Sequence, residues 1–511
     1  MLLAVDVRDE LPADHLAWAV LEAVGELDMS LFEAAYRIDG RSRPPYDPRA
    51  ILALIMYCAQ KKMRSGQEIA DACCDDIGAR VIMEGAHPHA STLNRFQDVH
   101  ADAIRALLPQ TLRMGQAEGL VDVSVVAGDG TKVVANAAMS RTVDREGLQA
   151  QIADLQARQQ AADAVWAQAV TGRPGHRDAV LAVFDDVPEG GVGARAGGEG
   201  VAWRRLGTLT RLLNSRRAAL AWLDEHPPAV ALAEWQEKMT RDSARVDACT
   251  ERMQARRAEL QGTWDARLAA EAAGRVFAGP AMVHPDQHCK MGLARAALAK
   301  ATARADKTAA TRPVATRVNT TDPSSRVMPG KHDGFDQRYN MQAMTCPGPF
   351  VLAVTLHDSP NDKQALTPLL TETRTNLDAA GITDRIGVSL HDSGYASEAN
   401  FTADLPVDLL LVAVEKEALQ SGRQPDRPST AHQRWTEMAD RLAEPENAAL
   451  YKRRAPIVEP LFAQLFARFG RTLTTRGDDV LTELHLWAVI HNILKIIRRR
   501  RTRPRPTLVP G

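Results

Sequence analysis

The stretch Val121-Asp-Val-Ser-Val-Val-Ala-Gly-Asp129-Gly-Thr131 decides how this chain folds. Valines at 121, 123 and 125 alternate with Asp122 and Ser124, the two-residue period of a strand, and the run closes on an aspartate followed by glycine. It predicts a strand that delivers a carboxylate at its C-terminal end, paired with a second strand over 132–138. Working outward, residues 12–118 read as helical: Pro48 opens an apolar-periodic stretch through Ile51, Leu52, Leu54, Ile55 and Met56, and Ser65 and Ser91 stand at cap positions. Downstream, 145–310 abandons the strand period for Ala, Gln, Arg and Glu at helical spacing, interrupted by a glycine-rich joint over 187–200. Strand signals resume at 339–343 and 350–356. A helix over about 362–380 follows, then Ile386-Gly-Val-Ser-Leu-His391-Asp392, a second buried strand with an acid at its end, and a last strand at 409–414.

At about 150 residues per domain, 511 residues imply roughly three domains or two with a large insertion. Only 5% of the residues are aromatic against 45% hydrophobic, so the cores are built from Ala, Leu and Val, with much helix. Six scattered cysteines make no disulfide framework and fit a reducing cytoplasm. The apolar run Ala50 to Ala59 is about half of what a bilayer needs, and the acidic first ten residues do not read as an export signal.

Lys plus Arg is 63 and Asp plus Glu is 64, which excludes a uniformly basic coat. Charge is nevertheless segregated. Residues 41–64 hold Arg41, Arg43, Arg49, Lys61, Lys62 and Arg64 against a single Asp, and from Tyr451 onward 13 Lys or Arg face 4 Asp or Glu. Thr92-Leu-Asn-Arg95-Phe could begin a helix suited to a DNA groove. The run from Arg498 through Arg499, Arg500 and Arg501 to Arg505 reads as a basic tail that binds phosphates without reading bases.

Asp129 and Asp392 are far apart in sequence, yet both end hydrophobic strands, and adjacent parallel strands would bring them to one sheet edge. Carboxylates converging there repel unless hard divalent cations neutralise them, and Mg²⁺ prefers a few carboxylates completed by water and phosphate oxygens. A third acid, Glu459, precedes Pro460 in Tyr451-Lys-Arg-Arg454-Ala-Pro-Ile-Val-Glu459-Pro-Leu-Phe, where Pro460 predicts the first turn of a helix. Tyr451 and Arg454 stand upstream, where they could grip a phosphate.

These residues resemble the DDE transposases of bacterial insertion sequences, in the branch of insertion sequence eleven-eighty-two, over about residues 20–498. The resemblance rests on Tyr46-Asp-Pro-Arg49, Ser91 to Phe96, Asp129 to Asn136, Thr321 to Arg326, Tyr339 to Ala343, Asp392-Ser-Gly-Tyr395, Val458-Glu459-Pro-Leu-Phe462 and Trp487 to Asn492, in family order. It implies an α+β or α/β chain. An RNase H-like mixed-sheet catalytic core (119–144 and 311–497) would carry an N-terminal helical DNA-binding domain (1–118), a large helical insertion (145–310) and the basic tail (498–511). It implies Asp129, Asp392 and Glu459 as catalytic residues and ligands of two Mg²⁺ ions, with Mn²⁺ able to substitute. DNA contacts are expected from Tyr451, Arg454, Arg49, Arg95, Lys132, Arg468 and Arg498 to Arg501. The partners implied are double-stranded DNA, as terminal inverted repeats and target, and a second copy assembled on it, in the cytoplasm at the nucleoid. Phe466 stands where the family has a Lys, so that contact to DNA near the cleaved end is either missing or supplied by Arg468, and Glu446 is the fallback acid. A catalytically inactive DNA-binding derivative, or a metal-dependent nuclease without strand transfer, shares the same acids.

Other motifs are set aside. Asp-Gly-Thr lacks the earlier nucleophilic Asp of a haloacid-dehalogenase phosphatase, since Ala127 stands there. Gly191 to Ala196 scans as a dinucleotide fingerprint but opens no helix after a strand. His284, His288 and Cys289 read as a polar loop, Cys73 and Cys74 as packing, and His485 and His491 as core or supporting residues.

Overall fold

The computed structural model describes residues 8, 11–36, 45–169, 198–226, 229–275, 283–311, 317–330, 334–357, 359–414 and 430–502. The glycine-rich joint up to residue 197, Arg41, Arg43 and the end of the basic tail (503–511) lie outside them. Residues 1–142 and 321–511 form one compact unit and 143–320 a second.

The first unit is built on a six-stranded mixed sheet. Its strands are β1 (Val125–Val134), β4 (Arg326–Pro329), β5 (Phe335–Cys346), β6 (Phe350–His357), β7 (Ile386–His391) and β8 (Val407–Val412); β2 (Thr142–Asp144) and β3 (Arg317–Asn319) pair separately. The order is β4-β5-β1-β7-β8, with β6 also on β5. β1 runs antiparallel to β5 and parallel to β7, which is parallel to β8. One expectation is corrected here. β1 is a single strand that continues through Asp129 to Val134, because β5 offers it an unbroken partner from Thr345 opposite Ala127 to Arg338 opposite Val134. The expected separate strand over 132–138 does not form, and Asp129 sits mid-strand.

Side chains alternate across the sheet, and both faces are buried, each in its own cluster. Val125, Ala127 and Leu390 pack with Ile457 and Val458 of the helix Arg454–Phe469. Val126 belongs to the larger core that includes Leu366, Leu369 and Leu377 of the helix Leu366–Ala379. That core also takes in the N-terminal helices, through Val20, Leu54, Ile104 and Leu112, so these helices share one hydrophobic interior with the sheet. Ser65 caps its helix in a capping box with Glu68. Ser91 does not cap: the helix Ala90–Val99 begins one residue earlier, and His89 Nδ1 accepts from the Ser91 N–H.

The helix Asp479–Thr502 is long and apolar enough to cross a membrane, but 83% of its apolar window is buried inside the protein. Asn492 donates to the Val351 carbonyl and accepts from the Val351 N–H, both at 2.9 Å, and donates to Thr111 Oγ1 at 3.0 Å. Trp487 stacks on Phe469. Arg498 to Arg501 form the last turns of this helix rather than a separate tail, because the apolar period that buries Ile493, Ile496 and Ile497 carries the helix on to Thr502. A second correction concerns Pro460. It lies inside the helix Arg454–Phe469, which starts before the expected point because the helix Pro445–Tyr451 leads into it; the proline forgoes one intrahelical bond.

In the second unit, the helices Arg145–Ala169, Gly198–Glu225, Ala229–Ala272 and Cys289–Ala310 dominate, with a core of Leu148, Ile152, Leu213, Ala219, Leu223 and Val318. Buried Asp242 receives Arg304 at 2.9 Å and the Thr308 hydroxyl at 2.8 Å, which ties the two long helices together. His284 and His288 are N-caps, each accepting a backbone N–H at Nδ1.

Burial holds the His391 and His491 imidazoles neutral, pushed down to about 3, with Arg454 adding to the effect on His391. In the unfolded chain both take up a proton near 6.5. Their contribution is therefore complete above that pH and lost as pH falls toward 3, at up to about 1.4 kcal/mol per pH unit for each group. Replacing His491, whose Nε2 lies 2.8 Å from the Pro349 carbonyl, by Gln should shrink the drop in melting temperature between neutral pH and pH 5. An undiminished drop would show that His491 does not carry it.

Candidate active site

β1 and β7 pair only from Val125–Ala127 against Val388–Leu390. Beyond that the strands fork, and continuing the register from Ala127 opposite Leu390 by two residues sets Asp129 level with Asp392. Alternation puts both carboxylates on the face that Ala127 and Leu390 share, the face covered by the helix Arg454–Phe469. The first residue of that helix meets them. Arg454 Nη2 lies 2.9 Å from Asp129 Oδ2 and 3.8 Å from Asp392 Oδ2, with the guanidinium side chain 13% exposed. Each aspartate also accepts a backbone N–H, Asp129 from Gly130 and Asp392 from Gly394.

Electrostatics at the fork are dominated by burial, which pushes the Asp129 carboxyl up to about 6; the Arg454 charge opposes the shift, and Asp392 and Asp362 reinforce it. A site that raises a carboxyl pKa in this way favours added positive charge.

The opposite face of the fork carries a polar layer. Even-numbered β1 positions face it. The Tyr395 hydroxyl donates to Gln342 Oε1, and Gln342 Nε2 donates to Asp362 Oδ1 at 2.7 Å and to Asn340 Oδ1 at 3.0 Å. Asn340 Nδ2 also donates to Asp362 Oδ1 at 2.7 Å, and Lys132 Nζ stands 3.9 Å from it. Asp362 was not singled out from sequence. The signal was the pair Asn340 and Gln342, two amides two residues apart on a buried strand, which require a polar partner. His391 lies on this face too, 4.8 Å from the Tyr395 ring and 2.8 Å from Ser389 Oγ. Gly128 makes room for it, since a Cβ there would lie 2.5 Å from His391 Cε1.

The remaining residues singled out from sequence are scattered. Glu459 is exposed on the helix that begins at Arg454, and Glu446 is exposed on the preceding one. Among the described residues no three His, Cys, Asp or Glu side chains form a group that could hold a metal ion. Tyr451 donates its hydroxyl to the His391 carbonyl at 3.0 Å, bracing the end of β7. Arg468 donates to Gln60 Oε1 at 3.0 Å. Phe466 is stacked with Phe462, and the Arg471 guanidinium lies 4.2 Å over its ring. Arg49 pairs with Glu33 at 2.8 Å, and Arg95 is exposed on the helix Ala90–Val99. Arg498 and Arg499 are exposed, whereas Arg500 is held by Glu26 and Glu118 and Arg501 donates to the Asp14 carbonyl.

Residues 5–98 match the family model of a transposase domain (DUF772). No curated protein and no solved structure matches the chain.

The wedge of His391 under Gly128 yields a test. Gly128→Ala should destabilise the first unit by about 1–3 kcal/mol, the usual cost of overpacking, because the ring is boxed in by Tyr395 and Ser389. Denaturant titration measures this, and a variant as stable as the parent would contradict the wedge.

Proposed function

We propose that this chain is a DDE-type DNA transposase of an insertion sequence, cleaving DNA at terminal inverted repeats and joining the freed end to a target. The observation that carries the reading is the fork of β1 and β7, where Asp129 and Asp392 stand level and share one guanidinium, in a chain whose residues 5–98 match a transposase domain. Two neighbouring carboxylates already bridged by a cationic group are a donor set that suits Mg²⁺, which is commonly held by one or two carboxylates with phosphate oxygens and water. A bound pair of such ions supplies activation of a water or 3′ hydroxyl and stabilisation of the leaving oxygen.

The chain's own residues do the rest. Asp129 and Asp392 hold the positive charge at a fixed place, because the sheet sets their spacing and the backbone N–H groups of Gly130 and Gly394 fix one oxygen of each. Glu459, on the helix headed by Arg454, is the third carboxylate of this reading. Arg454 and Lys132 supply cations on the two faces of the fork, and the polar layer behind it holds Tyr395 and with it the Asp392 turn. Tyr451 braces β7 and, in this reading, lies beside the DNA phosphates. Exposed Arg95, Arg498 and Arg499 give the DNA phosphates free partners, and Arg49 and Arg468 add cations whose present partners are Glu33 and Gln60. The substrate is double-stranded DNA, bound by two copies of the chain at the nucleoid.

Asp129→Asn and Asp392→Asn should each abolish Mg²⁺-dependent cutting of a repeat-ended duplex while gel-shift affinity stays nearly intact. Undiminished cutting by both variants would overturn the reading. Cutting without joined product would identify a nuclease, and DNA binding without any cutting by the parent an inactive derivative. A second test concerns the end of the helix Asp479–Thr502: replacing Arg498 and Arg499 by Ala should reduce the slope of log affinity against log salt by up to about two, and an unchanged slope would remove them from the interface.

A further inference from the structure

Arg454 is placed where two functions exclude each other. Its Nη2 spans Asp129 Oδ2 at 2.9 Å and Asp392 Oδ2 at 3.8 Å, so the guanidinium fills the charge position between the carboxylates. A dication and a guanidinium cannot both occupy that position, since like charges a few ångströms apart in a poorly screened site repel strongly. Nor is the guanidinium saturated there. Its Nε is buried without an acceptor among the described residues, leaving a donor that a further oxygen would satisfy. Arg454 is also the first residue of its helix, beside exposed Lys452 and Arg453, and a planar fork of donors matches a phosphate. Lys132, the other cation nearby, stands beside Asp362 on the opposite face of the sheet and does not share the two aspartates.

We propose that Arg454 is a stand-in for the metal: with neither ligand bound it neutralises Asp129 and Asp392, and a divalent cation arriving there displaces its guanidinium onto a DNA phosphate. This rests on the function proposed above and adds its regulation. Cation and DNA then bind cooperatively, each paying part of the cost of moving the same side chain. Linkage makes the coupling reciprocal: the cation tightens DNA binding by the factor by which DNA tightens cation binding. The protein alone is held in an occluded state that neither ligand opens as readily without the other.

The test uses the full chain with Arg454→Gln, which keeps bulk and loses charge, and Arg454→Lys, which keeps charge and loses the fork. Circular dichroism checks that both are folded. Mn²⁺ binding without DNA is read from the electron-paramagnetic-resonance signal of free Mn²⁺, and binding of a short labelled duplex is read by fluorescence anisotropy with and without Ca²⁺. Arg454→Gln is expected to bind Mn²⁺ about tenfold tighter than the parent, within the usual range of coupling between sites. It should also lose most of the gain in duplex affinity that Ca²⁺ gives the parent, with Arg454→Lys intermediate in both. Equal or weaker Mn²⁺ binding by folded Arg454→Gln, or a Ca²⁺ gain as large as the parent's, overturns the inference while leaving Mg²⁺-dependent cutting by the parent intact. If the parent neither binds Mn²⁺ nor cuts DNA, the function proposed above falls with it.

Discussion

The parallel pairing of β1 with β7 is the constraint on which the site depends. Three residue pairs, ending with Ala127 opposite Leu390, fix both the level and the face of everything that follows. A slip of one residue would turn Asp129 or Asp392 toward the helix Leu366–Ala379 and exchange its place with the polar layer. That register is held from both sides of the sheet. Val125, Ala127 and Leu390 are locked against Ile457 and Val458, and Gly128 admits the His391 ring beneath the strand. Where the pairing stops, the strands separate, and the separation gives two carboxylates room to share a cation.

The fork sorts its polar groups by face. Above it, a half-buried carboxylate whose pKa is raised by burial faces a guanidinium; below it, amides, a phenol and Asp362 satisfy one another. Arg454 and Lys132 place compensating positive charge around three acids, Asp129, Asp392 and Asp362.

Much of this was legible in the sequence, for identifiable reasons. Hydrophobic runs ending in acids gave β7 and the start of β1, since periodicity reports burial directly. The continuation of β1 through Gly130 and Thr131 was not legible, because it depends on the partner β5 more than two hundred residues away, and local glycine content argued for a turn. Pro460 misled for a similar reason: its preference for a first turn was overridden by the helix Pro445–Tyr451 immediately upstream. Arg500 read as a free cation because the glutamates that bind it, Glu26 and Glu118, come from the distant N-terminal helices. Asp362 was hidden because a single acid just ahead of a helix reads as a cap.

The splicing of residues 143–320 into the first unit has a consequence for biosynthesis. β1 leaves the ribosome long before β5 and β7, its two neighbours, and must wait with both edges bare while the intervening helices are made. Those helices make mostly local contacts and can assemble early, which shortens the effective distance between the halves that must meet. Only when β5 and then β7 emerge do the two edges of β1 gain partners, so over that interval the strand is a template for wrong pairing.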